Sequence, residues 1–179
     1  MTEPRLTGDP AEASSPAHAP ARWQRPELVI WGAHGGAATT TLANWLQPAW
    51  DMGAIAPEPD PPYPATITRG RALVVACRNT AWSALQATMA VNVVNQHGGH
   101  VAALAVVSDS WPEPAAARQR FRLLEPHVGA VVRVPFVFGL RLADDPGQVP
   151  PPRRARRAIT QIRAAATRSV LAPGHQGGC

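Results

Sequence analysis

Leu28-Val29-Ile30-Trp31-Gly32-Ala33-His34-Gly35-Gly36-Ala37-Ala38-Thr39-Thr40-Thr41-Leu42-Ala43-Asn44-Trp45-Leu46 decides how the rest of the chain is read. An apolar, β-branched run enters a glycine-bearing turn, and three threonines then open an Ala/Leu-rich segment with helical spacing. A strand, a loop of the phosphate-binding type and a helix are written in that order. Glycine lets the backbone curl tightly, and the first turn of a helix offers unpaired N–H groups to an anion.

The segment resembles the Walker A region of the ParA/MinD-like P-loop ATPases, whose loop reads K-G-G-x-G-K-S/T-S/T. It also resembles an uncharacterised actinobacterial family that carries a Gly-Gly loop without the lysine. Aligned on Gly35-Gly36, the signature lysine falls on His34, the third glycine on Ala38 and the phosphate-gripping lysine on Thr39. Thr40 and Thr41 match the hydroxyl pair, one of which binds Mg²⁺ in the family. No lysine elsewhere can substitute, because all 17 basic Lys/Arg positions are arginine. The resemblance implies a three-layer α/β fold of the P-loop NTPase type, a mostly parallel sheet of four or more strands with helices on both faces. It also implies ATP or GTP with Mg²⁺ as the cofactor class, while the lost lysine implies weak or absent nucleotide binding.

A chain of 179 residues with 45% hydrophobic content can bury one core of ordinary size. Twenty prolines and the absence of lysine match the codon bias of a GC-rich genome. Cys77 ends an apolar run and Cys179 ends the chain, so neither a disulfide framework nor a two-pair zinc site is expected. No segment has the length of a transmembrane helix or the pattern of a standard signal peptide, and a cytoplasmic location is the expectation. The net charge of +5 is unevenly spread. Residues 151–179 hold six arginines and no acid, against eleven arginines and twelve acids in residues 1–150.

Residues 1–26, rich in Pro, Ala and Ser, are expected to be disordered because they bury too little apolar surface to offset ordering. An α/β domain follows over 27–142. Strands are expected at 27–32, 72–77, 101–107 and 130–135, and helices at 39–46, 81–97 and 114–126. Trp82, Leu85, Met89, Val93 and Gln96 mark a mixed face on the second helix, and Gly98-Gly99 stop it. Residues 47–71, with six prolines, read as an irregular loop whose Trp50 and Tyr63 either cover a site or patch the core edge. A proline-rich linker spans 143–152, a basic amphipathic helix 153–171, and a tail 172–179.

Ligands in open α/β sheets bind beyond the carboxyl ends of the strands. That edge would gather His34, Gly35, Gly36, Thr39, Thr40, Thr41, Arg78 and Asp109 as nucleotide- or phosphate-binding candidates. The alternative for the loop is a helix-capping turn that keeps its shape without a ligand. Asp109, followed by Ser110 and Glu113, reads either as a helix N-cap or as a contact to a base or metal. The strand that in the resembled family ends in the Walker B aspartate ends here in Ala76-Cys77-Arg78, and Arg78 could bring positive charge toward a phosphate. No catalytic residue or metal-ligand set is visible. Arg153, Arg154, Arg156, Arg157, Arg163 and Arg168 share one half of the last helix, opposite Ile159, Ile162, Ala166 and Val170. They form either a surface for DNA or another polyanion or a solvated outer face. The resulting expectation is a catalytically degenerate regulatory or adaptor module with a protein partner. The alternatives are a nucleic-acid-binding accessory protein and an atypical weak NTPase using Arg78 and Asp109.

Overall fold

The computed structural model describes residues 27–55, 68, 70–109, 112–145 and 149–171. The N-terminal segment, most of the proline-rich stretch with Tyr63, and the C-terminal tail lie outside the described residues.

Strand β1 (Leu28–Gly32) is buried along its whole length, as a strand covered on both faces must be. Its alternation sorts the layers. Leu28 and Ile30 join one core cluster, Val29 and Trp31 the other. Helix α1 (Thr39–Trp45) returns the chain to β2 (Ala49–Ala54), which pairs parallel to β1. The chain then crosses to β3 (Ala72–Arg78) on the other side of β1. Helix α2 (Ala81–Gln96), β4 (Val101–Val107), α3 (Ala115–Leu124) and β5 (Val131–Val134) continue outward in that direction. A short α4 (Gly139–Leu142) leads to α5 (Arg153–Leu171).

Among the described residues, five strands form one all-parallel sheet in the order β2-β1-β3-β4-β5. Side chains of α2 and α3 pack on one face with Val29, Leu73, Val75, Leu104 and Val106. Side chains of α1 and α5 pack on the other with Leu28, Ile30, Val74, Ala76 and Val132. The fold is a three-layer α/β sandwich, as expected from the sequence.

Two local devices shape it. The β3–β4 register slips between Leu73 and Val74, so Leu73 pairs with Val101 but Val74 with Ala103. That bulge puts the consecutive residues Ala102 and Ala103 on the same face, under α5. Helix α2 ends in a Schellman arrangement: Gly98 takes φ +72°, its N–H donates to the Asn95 carbonyl, and Gly99 N–H donates to that of Val94.

Two expectations are corrected, and the mixed face of α2 is resolved. Residues 49–54 are not irregular: they form the edge strand β2, missed because all but Ala49 are exposed and show no apolar alternation. The large apolar residues of α2 do not face the core. Ser83, Ala84, Ala87, Ala90, Val91 and Val94 do, and Trp82, Leu85 and Met89 point outward at 58%, 45% and 48% exposure. Small side chains let that helix approach the sheet closely, which decides the buried face over size. Finally, Val170 is exposed rather than part of the apolar face of α5.

Candidate functional site

The order 2-1-3-4-5 reverses direction at β1. The loops after β1 and β3 therefore leave on opposite sides of the sheet and open a crevice between them. At that point lies a cavity of about 670 Å³. His34, Gly35, Gly36, Thr39, Thr40, Thr41, Arg78 and Asp109 all line it, so the eight residues proposed from the sequence converge on one site.

The loop is built tightly at its base and openly at its tip. Ala33 N–H donates to the Ala76 carbonyl at 2.8 Å, and Ile55 N–H to that of Gly32 at 2.7 Å, extending the sheet ladder into the turn. A Cβ on Gly32 would stand 3.0 Å from both the His34 oxygen and Thr39 Cγ2, so the base admits only glycine without adjustment. At the tip, Gly36 takes φ +77° and Ala38 takes φ +67°, ψ +31°, with Ala37 buried between them. Left-handed residues in a turn are one component of anion-binding nests. Helix α1 is only seven residues long, so the cradle depends on loop and side chains rather than on a helix dipole.

Arg78, leaving the end of β3, donates Nε–H to the Gly36 carbonyl at 2.9 Å. The guanidinium is thereby held against the loop, bringing a fixed positive charge to the cavity. His34 Nδ1 lies 2.7 Å from the Gly35 carbonyl, and since a carbonyl only accepts, Nδ1 carries the proton. His34 is 9% exposed, its ring stands 4.9 Å from that of Trp82 at 60°, and Nε2 is buried without a hydrogen-bond partner.

Thr40 donates its hydroxyl to Asp51 Oδ2 at 2.6 Å, and Asp51 Oδ1 accepts the Gly53 N–H at 2.9 Å. Partial burial pushes the Asp51 carboxyl upward, but hydrogen bonds from Thr40, Gly53 and Thr39 outweigh it and hold the group below the ordinary aspartate range. Asp51 was not among the candidates; its signal, Asp-x-Gly directly after the Trp50 of an edge strand, was hidden by the prolines that follow. Asp109 lies just past β4, where its N–H donates to Asn79 Oδ1 at 3.2 Å and its own Oδ1 is buried without a partner. It is not a helix N-cap, since α3 begins at Ala115 with Pro114 before it.

The cavity is also lined by Trp45, Trp82, Phe136, Val137 and Leu140. Trp45 is anchored by its indole N–H to the Val149 carbonyl at 2.8 Å. The cavity thus pairs an anion-type loop and an arginine with an aromatic and aliphatic wall. Such a division suits a ligand with a charged end and a planar or apolar body.

The remaining candidates lie elsewhere. On α5, Arg153, Arg154, Arg156, Arg157 and Arg168 are exposed, and a shallow recess of about 490 Å³ is lined by Arg153, Arg156, Arg157, Thr160 and Gln161. Arg163 separates from them. It turns inward and donates to the Leu46 carbonyl at 2.7 Å and to that of Gln47, tying α5 to the end of α1. Cys77 is buried, and desolvation pushes its thiol far above the ordinary range, so it carries no nucleophilic chemistry. Among the described residues, no helix is long and apolar enough to cross a membrane.

No family model matches the chain, and no curated protein matches it. A crystal structure of an SsGBP mutation variant is similar over 79% of this chain and 56% of that one, with a TM-score of 0.45 and 14% identity. This chain therefore spans little more than half the length of that protein, and a likeness of this degree bears on no activity.

Proposed function

We propose that the chain is a catalytically degenerate P-loop-like module that binds a phosphorylated or similarly anionic ligand weakly and acts through a partner protein. The observation that carries this reading is the cavity itself: a glycine-bearing loop, Arg78 and two tryptophans line one space at the switch point of the sheet. The chain has no lysine to reach a phosphate. Replacing a charge-assisted contact by the Thr39 hydroxyl weakens a nucleotide by about 1.5–3 kcal/mol, or roughly tenfold to a hundredfold. Hydrolysis further requires groups that orient the attacking water and stabilise charge. Two polar side chains of this cavity are engaged within the protein, Arg78 on the Gly36 carbonyl and Thr40 on Asp51.

Calorimetric titration of the full chain with ATP and GTP, with and without Mg²⁺, tests the reading. Weak binding is expected, further weakened about tenfold by Arg78→Ala. Sustained Mg²⁺-dependent turnover that Thr40→Ala abolishes would refute it and favour an atypical NTPase.

One observation favours a second reading, a polyanion-binding surface on α5. Its exposed arginines face solvent on a helix that carries no acid, and Arg153, Arg154, Arg157 and Arg168 form no ion pair among the described residues. Contacts of this kind are sequence-independent and weaken steeply with salt. Replacing Arg153, Arg154, Arg157 and Arg168 by glutamine should flatten the salt dependence of DNA binding; an unchanged slope removes this reading.

A further inference from the structure

We propose that Asp51, on edge strand β2, is a built-in competitor for anionic ligands, because its carboxylate holds a threonine hydroxyl at the wall of the cavity. This rests on the reading of the cavity as an anion site. Thr40 lines the cavity and is exposed, and its hydroxyl donates to Asp51 Oδ2 at 2.6 Å. A hydroxyl has one proton, so while this bond stands Thr40 has none to give a second oxyanion. What it keeps are lone pairs, which an anionic oxygen avoids. Thr39, also at the cavity, is hydrogen-bonded to the same carboxylate. Two of the three hydroxyls in the threonine run are thus engaged by Asp51, and the third belongs to the buried Thr41.

The competitor is fixed in place and keeps its charge. Asp51 Oδ1 accepts the Gly53 N–H at 2.9 Å, and Gly53 itself takes φ +70°. Both carboxylate oxygens are therefore held, one by Thr40 and one by Gly53. These donors are neutral, and among the described residues no arginine forms an ion pair with Asp51. They hold the carboxyl below the ordinary aspartate range, so it is ionised at neutral pH. Its negative charge stands one hydrogen bond behind a lining side chain, a separation that physiological salt screens only in part. Arg78 draws an anion toward the cavity while Asp51 opposes it, so the missing lysine is not the sole cause of weak binding. Carboxylate and phosphate oxygens accept from the same donors, so hydroxyls released by Asp51 can turn to a ligand.

The test compares binding of sulfate and of Mg²⁺-free ATP to the full chain, to Asp51→Asn and to Asp51→Ala. Asp51→Asn removes the charge but keeps an oxygen that accepts from Thr40, whereas Asp51→Ala removes both. Asp51→Asn should tighten both ligands about threefold, and Asp51→Ala about tenfold or more. Adding Thr40→Val to Asp51→Ala should take back the part of the gain that came from the freed hydroxyl. Urea midpoints of the same proteins separate competition from a merely structural role. Competition predicts tighter binding in a less stable protein, since Asp51 gives up its hydrogen bonds. Lower stability with unchanged or weaker binding, or a gain that Thr40→Val leaves undiminished, overturns the competition and leaves the anion site intact. Absence of sulfate and ATP binding in all of these proteins overturns the anion site and the competition with it.

Discussion

Gly129 leaves no space for a side chain: an added Cβ would stand 2.5 Å from the Ala102 carbonyl oxygen, itself part of β4. Because the obstacle is backbone rather than a flexible side chain, Gly129→Ala should cost about 1–3 kcal/mol, read as a lower denaturant midpoint with unchanged slope. Asp51 makes a different prediction. Its carboxyl is held below the ordinary range, so the folded state binds its proton less readily than the unfolded chain. The stability it contributes is complete above the unfolded aspartate value, about 3.9, and is lost as pH falls through the lower folded one. Asp51→Asn should therefore reduce the fall in stability on acidification through that window, seen in urea midpoints between about pH 2 and 6. Parallel curves for the two proteins would show that the Thr40–Asp51 bond has no energetic weight.

At the scale of elements, α5 is part of the core as well as a basic surface. Ala155, Ala158, Ile162, Ala165 and Ala166 are buried over β3, β4 and β5, a stretch of sheet that α1 cannot reach. Four of these five are alanine, so Ile162 is the one large side chain among them. Ile162→Ala should cost about 2–5 kcal/mol in a chemical denaturation experiment, whereas Arg157→Gln on the exposed side should stay within about 0.5 kcal/mol. The internal strands could be read from sequence because burial on both faces writes them as continuous apolar runs: Val101–Val107 is wholly buried in the structure and wholly apolar in sequence. Edge strand β2 could not, since its exposed Trp50, Asp51 and Met52 carry no such signature. The mixed face of α2 could not be resolved from sequence, because Trp82, Leu85 and Met89 are large apolar residues that the sheet does not use.

At the scale of the whole molecule, strand order turns scattered residues into a site. The loop could be anticipated from Gly35, Gly36 and the threonine run, and Arg78 and Asp109 from their places after apolar runs. All of these line the cavity. What the linear sequence hid was contact between distant elements: Thr40 with Asp51, His34 with Trp82, Trp45 with Val149. Each depends on a crossover that brings separate chain segments to one edge, which periodicity within a segment does not report. Phe136, Val137 and Leu140, which follow β5, complete the wall.

The measurement that bears most directly on the cavity as the ligand site is a map of backbone amide shifts on adding ATP to the full chain. The account predicts changes concentrated at Gly35–Thr41, Arg78, Trp82 and Asp109, saturating together. Changes confined to Arg153–Arg168 on α5, or none at the loop at millimolar nucleotide, would contradict it.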